Sequence, residues 1–224
     1  MTSPLLESLA SGFSGDAARR ALLDAALRDG LPGARSERWK YTPLRALERR
    51  SFAAADDAPA IDPGLLADIP SPRLVFVNGR YDAALSQFDA LPEGVQLAAG
   101  EAGEPVAAAD ATGDAPLAPG DAVFARLNAA LAQTGVRLRA DAGAQVERPV
   151  HLVFAGAAGA AEALAWHLHH RVEVGAGAAL RVVEHHLAAG EHRHLDTATL
   201  SVSVAQDALL EHARVQRAAD GATS

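Results

Sequence analysis

Ala165-Trp166-His167-Leu168-His169-His170-Arg171-Val172-Glu173-Val174 is the stretch on which the fold turns. Side chains alternate across an extended strand, so Trp166, Leu168, His170, Val172 and Val174 share one face while His167, His169, Arg171 and Glu173 take the other. Gly175-Ala-Gly-Ala178 follows as a turn, and a second strand-like run, Ala178–Leu187, begins at once. Moving outward, Val136–Arg139, Pro149–Phe154, Thr197–Ala205 and Ala208–Gln216 have the same character. In Thr197–Ala205, Ala198, Leu200, Val202 and Val204 oppose Thr197, Thr199, Ser201 and Ser203. The turns rhyme as well: Asp141-Ala-Gly-Ala, Gly175-Ala-Gly-Ala and Ala205-Gln-Asp-Ala recur about every 30 residues. That rhythm predicts a mainly β chain built as coils of a solenoid, each giving its apolar edge to the next. No helix-length segment separates the strands, which disfavours a doubly wound fold; an antiparallel sandwich stays open, because sequence does not fix strand direction.

Upstream the character changes twice. Residues 1–52 read as a helical region. Ser14 or Asp16 caps a segment through Arg28 that carries Leu22, Leu23, Ala26 and Leu27 on one side, and Gly30 and Pro32 stop it. From Asp16 to Arg50 there are nine Arg/Lys and five Asp/Glu, a basic zone in an acidic protein. Residues 53–120 form a hairpin-containing linker region. Leu74–Val77 is one arm, Asn78-Gly79 the tight turn, and Arg80-Tyr81 the start of the return. Glu93 to Asp121 holds several acids and no base, and predicts loop. Residues 121–224 open with a helix, capped by Asp121, bearing Val123, Phe124, Leu127, Ala130 and Leu131, and ended by Gly135; the β stack follows. After Gln216 only a short polar tail remains, so the stack is expected to stop before it is capped.

Composition narrows the function. A net charge of −8 argues against nucleic acid as the main partner, since phosphate binding needs a basic surface. Lys40 is the sole lysine, so no P-loop exists and any ATPase activity would belong to a partner. The absence of cysteine excludes disulfides and thiolate ligands, and fits a cytoplasmic protein. No apolar run reaches the length of a membrane span, and the start, MTSPLLESLASGFSGD, lacks the pattern of a secretory signal.

All nine histidines fall between His151 and His212. His167, His169 and Glu173 have the H-x-H-x3-E spacing of cupin metal sites and point the same way on a strand. They define the alternative reading, a cupin-like or β-helix metal-dependent enzyme. The remainder of that motif is missing, since no Gly stands six residues after Glu173 and no second motif supplies a fourth ligand. Glu184-His185-His186 and His192-x-His194 form a further cluster, but consecutive strand residues face opposite ways, so His185 and His186 do not chelate together. Gly175-x-Gly177 lacks the third glycine and the helix of a dinucleotide fingerprint. Asp56-Asp57 has no apolar pocket to tune it, and Gly12-Phe-Ser14-Gly15 lacks the strand of a nucleophile elbow. No complete active site emerges, so no catalytic, cofactor-binding or metal residue is assigned and the chain is expected not to be an enzyme.

Arg35-Ser-Glu37-Arg-Trp39-Lys40-Tyr41-Thr42-Pro43-Leu44 resembles the R-x-E-x-W-K-Y-T signature of the SufB/SufD family, on its SufD side. Three later stretches agree in order and spacing: Phe76-Val-Asn-Gly-Arg-Tyr81 with Ala84-Leu-Ser86, Phe124-Ala-Arg-Leu-Asn-Ala-Ala130, and His169–Ala178 running into Val183-Glu-His-His186. The resemblance implies a right-handed parallel β-helix between an N-terminal helical region and a C-terminal helical domain. It implies an iron–sulfur cluster assembly scaffold subunit that pairs with a SufB-like subunit and, through C-terminal helices absent here, with a SufC-like ABC-type ATPase. An iron–sulfur cluster and a reduced flavin belong to the family's complex. The family's chains are much longer, and the histidine of a later Cys-Ser-His-Gly-like stretch has no counterpart in this sequence. Trp39, Lys40, Tyr41 and Thr42 are expected to pack the helical arm rather than to do chemistry.

Overall fold

The computed structural model describes residues 3–33, 36–101, 119–217 and 222–223. Four α-helices and eleven strands are arranged in chain order among them. Helix α1 (Pro4–Ser11) starts on a Ser-Pro pair, with Ser3 Oγ accepting from the Leu6 amide. Its Leu5, Leu6 and Leu9 are buried. In α2 (Ala17–Asp29) Asp16 is the cap, its carboxylate accepting from the Arg19 amide at 2.9 Å, and Gly30 at φ 71° ends the helix as expected. Leu23 and Ala26 are fully buried. A short helix, α3 (Arg45–Glu48), completes the first region.

Helix α4 (Val123–Leu131) departs from expectation at both ends. Its N-cap is Ala122 with no side-chain bond, because Asp121 sits in the preceding 3-10 turn and accepts from the Ser36 hydroxyl instead. It stops before Ala132, and Gly135 lies inside a strand. A Cβ on Gly135 would stand 1.8 Å from the His169 carbonyl oxygen, so this glycine serves close strand approach, not helix termination.

The strands are β1 (Ala53–Ala54), β2 (Arg73–Val77), β3 (Arg80–Tyr81), β4 (Val95–Glu101), β5 (Thr134–Ala140), β6 (Val150–Ala157), β7 (Ala163–Val174), β8 (Ala179–Ala189), β9 (Arg193–Val204), β10 (Leu209–Arg217) and β11 (Ala222–Thr223). They form two mixed sheets. In the first the order is β11-β9-β7-β5-β4, with β1 also on β7; in the second it is β10-β8-β6-β2-β3. From β5 onward consecutive strands alternate between the sheets, and every pair among β5, β7 and β9, and among β6, β8 and β10, is parallel. Parallel register removes the antiparallel-sandwich alternative. Ala163 pairs with Arg193 and Ala179 with Leu209, so each strand meets its neighbour about 30 residues on. The turns stack too: the Gly143 amide donates to Ala176 and the Gly177 amide to Gln206, both at 2.9 Å.

The antiparallel pairs lie at the entrance to this array. Asn78-Gly79 turns the β2–β3 hairpin with φ of 47° and 75°, the positive values a tight hairpin needs. Strand β4, antiparallel to β5, corrects the expectation of loop from Glu93 onward; the rest of that stretch, 102–118, lies outside the described residues. Its apolar residues (Val95, Leu97, Ala99) alternate, but small side chains make the signal faint, and the pairing depends on a partner some 40 residues away.

Apolar side chains from both sheets meet between them, among them Leu74, Phe76, Leu138, Leu152, Phe154, Trp166, Leu168, Val172, Leu180 and Val182. On the outer face of the first sheet α1, α2 and α4 pack over Ala165 and Leu195. On the outer face of the second, Leu66 and Ile69 cover Val75, Val77, Val153 and Leu187. Covered on both sides, β6 is buried along its whole length, which explains its continuous apolar reading. No helix among the described residues is long and apolar enough to cross a membrane.

Candidate functional site

Between the sheets, the apolar interior gives way to ionisable groups where β7, β8 and β10 face one another. Alternation turns Glu184 and His186 of β8 inward with Leu180 and Val182, and the register of β10 sets Arg214 beside Glu184 and His212 beside Val182. The Glu184 carboxylate, 3% exposed, meets Arg214 Nε at 3.0 Å, His212 Nε2 at 3.1 Å and His186 Nε2 at 3.4 Å. Burial by itself would raise its pKa; hydrogen bonds from His186 and Arg214, with the charges of His212 and Arg214, more than offset this and bring it to about 2. His170 of β7 sits close by, its ring 4.9 Å from that of Phe154. Burial lowers its pKa to about 4, against the pull of Glu184. The neutral ring accepts at Nδ1 from the Val136 amide at 3.1 Å, where the β5–β7 pairing skips Gly135 and Val136. A carboxylate held near 2 and an imidazole held near 4 are far from the values that suit proton transfer at neutral pH. The cluster ties β8 to β10 through a compensated buried charge.

The remaining histidines separate into pairs. His185 faces outward, opposite to His186 as alternation requires, and its Nε2 lies 3.0 Å from His151 Nδ1. His194 stacks on Trp166 at 4.5 Å and on His192 at 4.8 Å, and its Nε2 is 3.5 Å from Asp196. The cluster anticipated from Glu184 and His192-x-His194 is therefore divided between two groups of partners.

His167, His169 and Glu173 do line the outward side of β7, which is covered at His169, half-covered at His167 and Glu173 and exposed at Arg171. His167 lies beneath the helical layer with Nδ1 2.7 Å from Thr197 Oγ1, and burial lowers its pKa to about 4. His169 is buried, with Nε2 2.9 Å from Ser201 Oγ; burial, then Arg171 and Arg19, lower its pKa. Glu173 is about 13 Å further along the strand than His169 at ordinary strand rise. Among the described residues no three His, Asp or Glu side chains come together in a group that could hold a metal ion.

Asn128, in the middle of Phe124–Ala130, is 2% exposed, and its Nδ2 donates to Leu168 O, Thr197 O and Thr197 Oγ1, each at 3.0 Å. It fastens α4 across β7 and β9; a polar residue within an apolar helical run was the signal for it. In the Trp39–Thr42 string only Trp39 packs as expected, its ring 5.2 Å from Phe124. Tyr41 is 87% exposed, with Lys40 Nζ 5.5 Å from its ring, so its role is not packing; Arg35 lies outside the described residues. At the other end of the molecule Val202 and Val204, both 46% exposed, and Leu209, 55% exposed, give the β9–β10 side an apolar surface beside a sheet edge.

No family model matches the chain. Its sequence is 33% identical over 197 residues, 86% of this chain, to the iron-sulfur cluster assembly protein SufD of Escherichia coli (strain K12), and the matched part spans 44% of that protein's length.

Proposed function

We propose that this chain is a SufD-like, non-catalytic part of an iron–sulfur cluster assembly scaffold, with a right-handed parallel β-helix as its core. The similarity to SufD carries the reading. Strand alternation between two sheets, at a repeat of about 30 residues, supports the β-helix independently of it. In this reading the stacked strands are a rigid platform, and the exposed β9–β10 side with Val202, Val204 and Leu209 is where apolar contact to another subunit is made. The partners are a SufB-like subunit and a SufC-like ATPase, the cluster is cargo, and the compartment is the cytoplasm. Neither nucleic acid nor membrane has a part.

Co-expression of the full-length protein with SufB-like and SufC-like subunits tests this. The expected outcome is one complex on size-exclusion chromatography that supports cluster formation on a recipient protein. A lone monomer that binds neither subunit would overturn the proposal.

A further inference from the structure

A cavity of about 630 Å³ opens where the helical layer, the β2–β3 turn and the Ala165–His167 part of β7 meet. Its volume is in the range of small-molecule sites. Leu9 and Phe52 supply apolar wall, Trp166 and Tyr81 supply rings, and Arg19 and Arg80 supply charge. The described lining has two guanidinium groups and no carboxylate, although Asp and Glu outnumber Lys and Arg by 28 to 20 in the chain. That local reversal of sign is the central observation.

Arg19, Trp166 and Tyr81 are held in place by contacts within the chain. Arg19 is anchored by donating to the Ala132 carbonyl. Arg80 is exposed and forms no ion pair among the described residues. Trp166 is wedged against the hairpin turn so tightly that a Cβ on Gly79 would lie 2.6 Å from its own Cβ. Tyr81, 41% exposed, is braced edge-on against Phe76 at 6.2 Å between ring centroids. His167 at the cavity wall is held neutral by burial and contributes no competing charge.

We propose that this cavity binds a small organic anion. A phosphate or carboxylate end lies between Arg19 and Arg80, and an apolar, ring-bearing body lies against Trp166, Tyr81 and Phe52. Charge-assisted hydrogen bonds from guanidinium groups select the anionic end, and the rings select against a bare inorganic ion. The site is separate from the cluster around Glu184: none of His170, Glu184, His186, His212 and Arg214 is in its lining.

The chain has two tryptophans, and Trp39 packs at a tilt against Phe124 outside the cavity lining. In a Trp39→Phe background the emission therefore comes from Trp166, which lines the cavity. Titration with phenyl phosphate and with benzoate is expected to give a saturable change for at least one, which tells phosphate from carboxylate. Benzyl alcohol and inorganic phosphate are each expected to bind about tenfold more weakly or worse, and Arg80→Gln to weaken the preferred anion by about tenfold with an unchanged circular dichroism spectrum. Calorimetric titration of the unaltered chain provides the same comparison should Trp39→Phe disturb folding. No saturable signal with either anion, equal binding of benzyl alcohol, or unchanged affinity in Arg80→Gln would overturn the proposal.

Discussion

Asn128 shows how much a single side chain can hold. Its amide reaches two backbone carbonyls and a hydroxyl on two neighbouring strands, so the α4–sheet junction depends on a group that no apolar residue can imitate. Asn128→Ala leaves buried acceptors without their donor and is expected to cost about 1–3 kcal/mol in urea denaturation at unchanged m-value. Asn128→Asp is expected to cost more, because a buried carboxylate would face carbonyl oxygens. The sequence displays this residue within a helical run but not its partners, since Leu168 and Thr197 reach it only through tertiary packing. The metal-like spacing of His167, His169 and Glu173 was legible for the converse reason: spacing is local. Its chemistry was not, because the helical layer and the hydroxyls of Thr197 and Ser201 that take up the two imidazoles come from elsewhere in the chain.

At the scale of elements, the strands from β5 to β10 were readable because alternation is a property of each strand alone, and their turns because the same conformational demand recurs. Gly143, Gly177 and Asp207 occupy equivalent places in three stacked turns, at φ of 76°, 66° and 57°. An L residue there bears a cost of roughly 1–2 kcal/mol that glycine avoids, and aspartate tolerates it better than most. Nothing lies within 4 Å of a Cβ placed on Gly177, so Gly177→Val meets backbone strain without a clash. It is expected to lower stability by about 1–2 kcal/mol, while Asp207→Gly is neutral or stabilising by up to about 1 kcal/mol. Urea midpoints of the two variants check this; a neutral Gly177→Val would show that the left-handed turn is not required. Elements whose reason for existing is a distant partner were harder to see. Strand β4 needs the edge of β5, and α1 needs the apolar patch that α2, α4 and the sheet provide.

For the molecule as a whole, enclosing histidines and one glutamate couples stability to pH. His167 and His170 titrate near 6.5 when exposed but near 4 in the folded chain, because burial disfavours their charged forms. Between those values the unfolded chain binds more protons than the folded one, so stability rises with pH across the interval and is lost as pH falls from about 6.5 to about 4. Burial lowers His151, His169, His185 and His192 in the same direction. Glu184 adds a later stage: its pKa of 4.5 falls to about 2 on folding, so its contribution is present above 4.5 and lost as pH drops towards 2. For His170 alone the full loss is on the order of 3 kcal/mol, a large part of a typical domain's stability. Urea denaturation at pH 7.5, 5.5 and 4 is expected to give steadily lower midpoints, with most of the fall above pH 4 due to histidine. His170→Gln can retain an acceptor for the Val136 amide while removing the titrating ring, and should flatten the slope between pH 6.5 and 4. A slope equal to that of the unaltered chain would mean that His170 is not held neutral, and the compensated interior around Glu184 would then lack its silent neighbour.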